Sequence, residues 1–425
     1  MFDKGRAEVL VVGAGPVGLF AAASLVERGI DVAIVDAEWR GTGMSYALGL
    51  HPDAMALLET IGLAEPLRSA GYEVRRLAFY DRQERVAEVD YAAVDGPFPF
   101  LTILPQSALE SALEAWLKKR GVEVRWRHRL ADLSEVTRPV AAELHRWDEE
   151  TVGYPIAHHE RIVEKVIPFQ ADFIVGADGH ASFVRRRLKI DFPKLRPPSL
   201  FAVFEFEADG DLDHEARVVL DERGISVLWP LPGGRARWSF QIEDSPEIRA
   251  DRIKSRLSQL GRWVFPALDQ DRLDRLIDER APWYTGRVRE VVWSVAIRFE
   301  ERLAAGFGRE AAWLAGDAAH LAGPVGLRSM NVGLREAGDL AARLAKILRG
   351  SGGPELLSEY DAERKREWRR LFGLEGGWRS GDGAPAFVRR DPLLALSLLP
   401  ASGRSLDALA AQLDLHPEAP APRAG

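Results

Sequence analysis

Three glycines and one acid near the start of the chain have the types and the spacing to bind phosphate and ribose. Gly13, Gly15 and Gly18 follow the apolar run 9–12 in the pattern Gly-x-Gly-x-x-Gly, and Asp36 ends the next apolar run. In this pattern the first glycine permits a tight turn, the second lets the backbone approach a pyrophosphate, and the third lets the helix pack on the strand. A carboxylate after the second strand accepts hydrogen bonds from ribose hydroxyls, so these residues predict a dinucleotide-binding β-α-β unit.

Two later stretches also place an acid directly after an apolar run. They are Gly176-Ala-Asp-Gly179 and Gly316-Asp-Ala-Ala-His320. Taken singly, Asp178 and Asp317 each have an ordinary alternative role, which is to end a strand or to cap a helix. Taken together with the glycine pattern, the three strand-to-turn stretches favour one shared ligand site, because ligands bind beyond the carboxyl ends of parallel strands.

The histidines are weaker candidates for chemistry. His51 precedes Pro52 near the expected ligand face and is the one candidate catalytic residue, with a structural role as the alternative. His320 is expected to be structural, and His158 and His159 lie in a polar segment that is expected to be exposed. No pattern of metal-ligating residues and no Gly-x-Ser-x-Gly motif is present, so neither a metal site nor a serine nucleophile is expected.

Composition bounds the class of protein. The chain has 425 residues, of which 46% are apolar and 28% charged, which is typical of a globular protein with two domains or one elaborated domain. A net charge of −7 argues against a nucleic-acid partner, and no apolar run reaches the length of a membrane span. The chain enters its first strand almost at once, so no signal peptide is expected, and the absence of cysteine fits a cytoplasmic protein.

Two kinds of sheet are predicted to position these residues. Buried strands before each acid indicate a parallel sheet, whereas strand-like runs between 197 and 298 follow one another without helices and indicate an antiparallel sheet. A hairpin at 72–91 is expected to join that second sheet. Helices are predicted at 108–119, where Ser107 can act as the cap, and at 331–348.

The three motifs resemble those of single-component FAD-dependent aromatic hydroxylases of the para-hydroxybenzoate hydroxylase type. The stretches GADGHASFVRR and GDAAHLAGPVG carry the resemblance more specifically than the glycine pattern alone, and it extends to about residue 370. The resemblance implies an α/β fold with a Rossmann-type FAD-binding domain, an inserted antiparallel-sheet substrate domain and C-terminal helices. The implied divisions are an FAD-binding domain of 1–71, 101–188 and 300–348, a substrate domain of 72–100 and 189–299, and a C-terminal helical segment of 349–425 with a disordered end.

The resemblance also implies a role for each motif. The first site would hold the ADP half, Asp178 and Gly179 would lie near the pyrophosphate and the pyridine nucleotide, Asp317 would bind the ribityl chain, and residues after Pro324 would pass beside the isoalloxazine ring. The helix at 331–348 would present its positive end to the reduced ring. The full set predicted to bind FAD is Gly13, Gly15, Pro16, Val17, Gly18, Asp36, Arg40, Gln106, Asp178, Gly179, Gly316, Asp317, Pro324, Gly326, Ser329, Met330 and Asn331.

Two stretches depart from the family pattern. Where the family has a glycine-rich PxGGxGxN segment, this chain carries Leu327, Arg328 and Ser329. Their bulk would narrow the space beside the flavin or place Arg328 near the ring. Tyr46 stands where the family tends to have a phosphate-binding arginine, which leaves Arg40 as the substitute.

The implied activity is hydroxylation of an apolar, aromatic small molecule with NAD(P)H and O2 through a flavin C4a-hydroperoxide. The alternatives are a flavin oxidoreductase without hydroxylation (a dehydrogenase, a reductase or a halogenase) and a non-enzymatic FAD-binding chaperone or scaffold. A monomer and a dimer are both compatible with the sequence. The substrate is expected between the flavin and the antiparallel sheet, on one of its two faces, which carry Phe204, Phe206, Val227, Trp229, Trp238 and Phe240.

Overall fold

A computed structural model describes residues 5–39, 48–152, 158–209, 212–246, 248 and 267–418. Arg40, Tyr46 and the predicted disordered end after residue 418 lie outside these ranges. The helices are α1 Pro16–Glu27, α2 Pro52–Glu59, α3 Ala64–Ala70, α4 Gln106–Lys118, α5 Phe183–Arg187, α6 Gln270–Arg280, α7 Arg328–Leu348, α8 Glu355–Leu371, α9 Ala386–Arg390, α10 Pro392–Ser397 and α11 Gly403–Gln412.

Most strands belong to two large sheets, one of eight strands and one of seven. The strands are β1 Arg6–Val12, β2 Val32–Val35, β3 Gly49–Leu50, β4 Tyr72–Val74, β5 Arg76–Asp81, β6 Glu84–Asp90, β7 Leu101–Ile103, β8 Val124–Arg125, β9 His128–Glu135, β10 Val140–Val152, β11 His158–Gly176, β12 Ser199–Ala208, β13 Glu215–Asp221, β14 Gly224–Leu231, β15 Arg235–Ile242, β16 Val288–Phe299, β17 Arg302–Leu303, β18 Gly308–Arg309, β19 Ala312–Leu314, β20 His320–Leu321, β21 Trp378–Ser380 and β22 Leu415–Pro417.

The first sheet brings the three predicted turns to one edge. Its main path runs β18-β19-β11-β1-β2-β8, and β1 is parallel to both β2 and β11. Val12 pairs with Val35 and with Gly176, and Gly176 pairs with Leu314 of β19. The four central strands therefore end at the same level, and the chain leaves each of them toward one common site.

The polar segment that contains His158 and His159 is part of a long extended pair. Strands β10 and β11 continue through most of residues 148–163 as antiparallel neighbours. Ile162, Val163 and Val166 are exposed there. β-Branched residues favour the extended backbone, and the hydrogen-bonded ladder with β10 satisfies it even where little apolar surface is buried.

The second sheet is antiparallel except for one pair. Its order is β16-β12-β15-β14-β13-β5-β6, and β5 pairs with β13 in parallel. The hairpin predicted at 72–91 joins this sheet only through residues 76–90. The preceding strand, β4, instead pairs with β7 in a separate three-stranded sheet.

Helix α7 connects the two parts of the molecule and begins earlier than predicted. It starts at Arg328 rather than at Asn331, after Leu327, whose backbone is left-handed with a φ of 50°. A Cβ added to Gly333 of this helix would lie 2.8 Å from Val17 and 2.9 Å from Gly316, so α7 packs directly on α1 and on the turn after β19. No helix in the described ranges is long and apolar enough to span a bilayer.

Candidate functional site

The three glycines of the first turn have different structural roles. A Cβ on Gly13 would lie 2.2 Å from the carbonyl oxygen of Ala177, and one on Gly18 would lie 1.9 Å from the carbonyl oxygen of Gly13. Both glycines are therefore required for close packing of the strand, the turn and the helix. A Cβ on Gly15 would meet no atom within 4 Å. Gly15 faces open space, which is where a bound pyrophosphate would approach the backbone.

Helix α1 presents an uncapped N-terminus to that space. Its N-cap residue is Gly15, no side chain accepts from its first N–H groups, and its first turn carries no acid. Pro16 lacks an N–H and suits the first helical position. Val17 contacts Gly316 and Gly333, so its side chain packs between α1 and α7. The free N–H groups and the helix dipole favour an anion here.

Asp36 holds the loop after β2 and keeps capacity for a ligand. Its Oδ2 accepts the Ala14 N–H at 2.7 Å, and its Oδ1 accepts the Glu38 N–H at 2.7 Å. Each carboxylate oxygen has two acceptor positions, so both oxygens can take a further hydrogen bond from a hydroxyl group. Asp36 therefore fixes the turn and offers an acceptor beside it.

Asp178 caps a helix with one oxygen and leaves the other without a partner. Its Oδ2 accepts the N–H groups of Phe183 and Val184 at 2.6 and 3.1 Å, which confirms the capping alternative for that oxygen. Its Oδ1 is buried without a hydrogen bond, and burial raises the pKa of the carboxyl group. Gly179 follows with a φ of 75°, a conformation that favours glycine. A buried oxygen without a partner is what a ligand hydroxyl or amide would satisfy.

Asp317 lies on the third turn with a free acceptor. The Gly316 N–H donates to Glu336 Oε2 at 2.9 Å, which fixes the turn to α7. Within the described ranges no hydrogen bond reaches the Asp317 carboxylate. Burial raises the pKa of Asp317, and the neighbouring His320 and His180 oppose this effect. The carboxylate is thus available to a hydroxyl group at the common edge of the sheet.

Together these turns form a cradle for a phosphate-linked dinucleotide, and comparison with known proteins identifies the family. A sequence model described as "FAD binding domain" matches residues 6–372. The chain belongs to this FAD-binding family. The predicted resemblance and the FAD cofactor are confirmed, and the open space at Gly15, the free Oδ1 of Asp178 and the free carboxylate of Asp317 fit FAD.

Curated relatives are monooxygenases of greater length. The chain is 29% identical over 366 residues to 6-methylpretetramide 4-monooxygenase of Streptomyces rimosus, a match that covers 84% of this chain and 59% of the relative. It is 26% identical over 380 residues to pentachlorophenol 4-monooxygenase of Sphingobium chlorophenolicum, covering 87% of this chain and 63% of the relative. The chain thus spans less than two thirds of the length of either relative.

A solved structure shows the same fold. The crystal structure of p-nitrophenol 4-monooxygenase from Pseudomonas putida DLL-E4 superposes with a TM-score of 0.70, at 23% sequence identity and with 87% of each chain covered. The predicted fold class, a Rossmann-type FAD-binding domain with a second sheet and C-terminal helices, is confirmed.

The turn at Gly316 is held by a buried carboxylate that was not among the predicted site residues. Glu336 of α7 is fully buried and also accepts from His320 Nε2 and from Trp368 Nε1, each at 2.8 Å. Burial alone would raise the pKa of Glu336, but His320 and these hydrogen bonds lower it. The signal was available, because Glu336 lies four residues before Leu340 on the apolar face of the helix.

The loop before α7 is fixed by polar side chains of the first turn of that helix. Asn331 accepts the His51 N–H at 2.8 Å and donates to the carbonyl oxygens of Gly49 and Leu327 at 2.8 and 2.7 Å. Ser329 Oγ accepts the Ala322 N–H at 2.9 Å. Both side chains, predicted to contact FAD, therefore bond within the protein. Met330 is half-buried against the core of the first sheet.

His51 lies behind this loop as a neutral structural residue. Its Nε2 lies 3.0 Å from the Gly326 carbonyl oxygen, and its Nδ1 lies 3.5 Å from Ser402 Oγ. Complete burial lowers its pKa to about 3. At neutral pH the ring carries no charge, and its nitrogens connect the Gly326 loop to the C-terminal helices.

Gln106 differs in detail from the prediction. It is the first residue of α4, whose N-cap is Pro105 without a side-chain cap, so the helix starts before Ser107 rather than after it. The Gln106 amide donates to Glu110 Oε1 at 2.6 Å. A proline N-cap with an extended backbone replaces the predicted capping box because Pro105 already fixes the entry to the helix.

A cavity of about 360 Å³ opens beside the loop that follows Asp317. It lies between residues 322–326, the second sheet and the C-terminal helices. Its lining includes Ser199, Phe201, Ile225, Gln241, Phe299, Pro324, Arg328, Trp368, Leu371, Phe372 and Leu398. The second sheet contributes to this lining, and so do α8 and α10, whose part in it no sequence motif indicated.

The aromatic residues predicted to line the substrate site do not line this cavity. Phe204, Phe206, Trp238 and Phe240 pack with α6 in one apolar cluster, whereas Val227 and Trp229 pack in another with residues of the C-terminal helices. Side chains alternate between the faces of a strand, so Phe201, three residues before Phe204 on β12, lies on the opposite face and reaches the cavity instead.

Proposed function

We propose that the chain is an FAD-dependent monooxygenase that uses NAD(P)H and O2 to hydroxylate an aromatic small molecule. The observation that supports this most strongly is the cavity between the FAD-binding turns and the second sheet. Phe201, Phe299, Trp368 and Phe372 line it with aromatic surface. These side chains suit an aromatic ring, and their apolar surface limits the access of water, which would hydrolyse or quench the oxygen-transfer reaction.

The cavity would orient the substrate, and the FAD-binding turns would hold the cofactor. When bound, FAD supplies the hydride and oxygen chemistry. Asp36 would accept from the ribose, Asp178 Oδ1 from a donor near the pyrophosphate, and Asp317 from the ribityl chain. The N-terminus of α7 has no side-chain cap and would favour negative charge at the edge of the reduced ring.

We also propose that the chain is divided into domains at the boundaries predicted from the sequence. Residues 1–71, 101–188 and 300–348 would form the FAD-binding domain, 72–100 and 189–299 the substrate domain, and 349–425 the C-terminal helical segment. The two large sheets support this division, and the small sheet, in which β4 pairs with β7, joins the first two domains. The substrate would be a small aromatic molecule and the location cytoplasmic. In the described ranges no group of acids and histidines could hold a metal ion.

Oxidation of NAD(P)H in the presence of a panel of phenols tests the proposal. We expect the FAD-loaded chain to oxidise NADPH or NADH faster when a suitable phenol is present and to form a product with one added oxygen. A dehydrogenase or reductase would transfer hydride without oxygen insertion. A scaffold would bind FAD and oxidise no pyridine nucleotide. Either of these results would contradict the proposal.

A further inference from the structure

The cavity contains a buried arginine between Leu327 and Ser329, the two residues that replace glycines of the family pattern. Arg328, the first residue of α7, is 4% exposed and lines the cavity. One terminal nitrogen, Nη2, donates to the Leu396 carbonyl oxygen. Its Nε is buried without a hydrogen-bond partner. The guanidinium group is therefore held in place by one bond and keeps a buried donor unused.

No acid of the cavity is committed to Arg328. Glu301 also lines the cavity and attracts Arg328 through its charge, but its carboxylate forms an ion pair with Arg196. Asp391 is exposed to solvent, and its Oδ1 accepts the Leu394 N–H at 2.9 Å. Arg196 and Glu301 balance each other, so the buried charge left in the cavity is that of Arg328.

Burial weakens the arginine charge without removing it. Desolvation lowers the pKa of Arg328 to about 10, while Glu301 opposes this effect. The group therefore remains a cation at neutral pH. A buried cation without a hydrogen-bonded counter-ion is costly to the folded chain. An anion that enters the cavity would satisfy both the charge and the free Nε–H.

The surface around Arg328 is aromatic. Phe201 and Phe299 meet edge to face with ring centroids 5.6 Å apart, and Trp368 stacks on Phe372 with centroids 5.2 Å apart. All four side chains line the cavity. The pocket thus combines one buried cation with aromatic sides.

We propose that Arg328 is the anion-binding residue of this site and that the substrate is an aromatic acid, an aromatic ring carrying a carboxylate or a similar anionic group. This inference deepens the proposed function and rests on it for the hydroxylation step. The guanidinium group would bind the anion through Nε while Nη2 stays on Leu396. The aromatic residues would then hold the ring against the loop at Pro324.

Binding of matched acids and amides tests this inference without requiring turnover. Benzoate, phenylpropionate and naphthoate would each be titrated into the FAD-loaded full chain by calorimetry and compared with their own primary amides. The members of each pair have nearly equal shape and differ in charge. We expect at least one acid to bind about ten- to a hundred-fold more tightly than its amide, the range for a hydrogen bond to a charged group.

Two variants assign that preference to Arg328. Arg328→Met removes the cation at similar length and is expected to abolish the preference for the acid, whereas Arg328→Lys keeps the charge and is expected to retain part of it. FAD content and melting temperature report whether each variant is folded. The comparison in the unmodified chain needs no variant, so it remains decisive if Arg328→Met does not fold.

Two results would overturn the inference. One is equal or tighter binding of all amides, or no binding of any acid, in the unmodified chain. The other is an unchanged preference for the acid in a folded, FAD-loaded Arg328→Met variant. A changed FAD affinity or reduction potential in that same variant would then assign Arg328 to the flavin instead. If neutral phenols are hydroxylated while acids show no preference, the proposed function stands and this inference fails.

Discussion

At the scale of single residues, the proposed FAD site would use atoms that have no partner within the folded chain. Gly13 and Gly18 are required by the fold itself, because a Cβ on either would overlap backbone atoms. Gly15, Asp178 Oδ1 and the Asp317 carboxylate have no such internal role. Substitutions at Gly15, Asp178 or Asp317 should therefore reduce FAD binding without unfolding the chain.

Gly15→Val is expected to abolish FAD retention and leave the fold intact. The backbone at Gly15 has φ −72° and ψ 179°, which any residue adopts, and the added side chain meets no protein atom within 4 Å of its Cβ. The side chain would instead occupy the space of the pyrophosphate. Flavin absorbance after gel filtration measures retention, and circular dichroism of the apoprotein measures folding. Gly18→Ala is the contrasting variant, expected to disturb folding. Full FAD content in a folded Gly15→Val variant would contradict the site.

Asp317→Ala is expected to weaken FAD binding by about ten- to a hundred-fold, because a hydrogen bond to a charged group contributes about 1.5–3 kcal/mol. Asp317→Asn keeps an acceptor oxygen and is the matched control, with a smaller loss expected. Fluorescence titration of the apoprotein with FAD gives the dissociation constants. An unchanged constant in both variants would mean that Asp317 only ends its strand.

At the scale of elements, the turns that we assign to FAD are hydrogen-bonded to helices that come much later in the chain. Glu336 of α7 connects the Gly316 turn to Trp368 of α8. His51, the N-cap of α2, connects the Gly326 loop to Ser402 before α11. Both connections involve buried polar groups, so their loss should be measurable in stability.

Trp368→Phe is expected to lower both stability and FAD affinity. The change keeps an aromatic ring and leaves Glu336 Oε1 buried without its indole donor, a loss of about 1.5–3 kcal/mol. Trp378→Phe is the matched control, since the Trp378 indole N–H is buried without a hydrogen-bond partner. Urea unfolding and FAD titration measure the two effects. Equal effects of the two variants would show that the hydrogen bond to Glu336 contributes nothing specific.

His51 predicts a defined dependence of stability on pH. Its pKa falls from 6.5 to about 3 on folding, so below pH 6.5 the unfolded chain binds a proton that the folded chain does not. Its contribution to the free energy of unfolding therefore falls as the pH drops, by about 1.4 kcal/mol per unit once the pH is well below 6.5. His51→Gln removes this term. Urea unfolding of both proteins from neutral to mildly acidic pH should show the unmodified chain losing stability more steeply than His51→Gln, and equal slopes would contradict the assignment.

The parts of the site that could be predicted from sequence are those set by local pattern. The strand, glycine turn and helix around Gly15, and the acids after β2, β11 and β19, follow from adjacent residues. The position of Glu336 on the apolar face of α7 can be read from the sequence, but its hydrogen-bond partners cannot. Those partners, and the place of Trp368 in the cavity lining, come from packing between elements far apart in sequence. The face of the second sheet that lines the cavity was left open, since alternation defines two faces of a strand but does not say which one meets the cavity.

At the scale of the whole molecule, two sheets and the C-terminal helices meet at one cavity. The first sheet supplies the turns that we assign to FAD, the second supplies Phe201 and Phe299, and α8 with the residue after it supplies Trp368 and Phe372. This convergence is the reason to expect chemistry between the flavin and a bound ring rather than FAD binding alone. Transfer of an oxygen atom to the bound ring is therefore the property that distinguishes a monooxygenase from an FAD-binding protein.

Isotopically labelled O2 provides the most direct test. The FAD-loaded chain would be incubated with NADPH or NADH and with an aromatic substrate identified by the oxidation screen, and the product would be analysed by mass spectrometry. We predict one labelled oxygen atom in each product molecule, taken from O2 and not from water, with product formed in proportion to the pyridine nucleotide oxidised. Oxidation of the pyridine nucleotide with no labelled product would contradict the account.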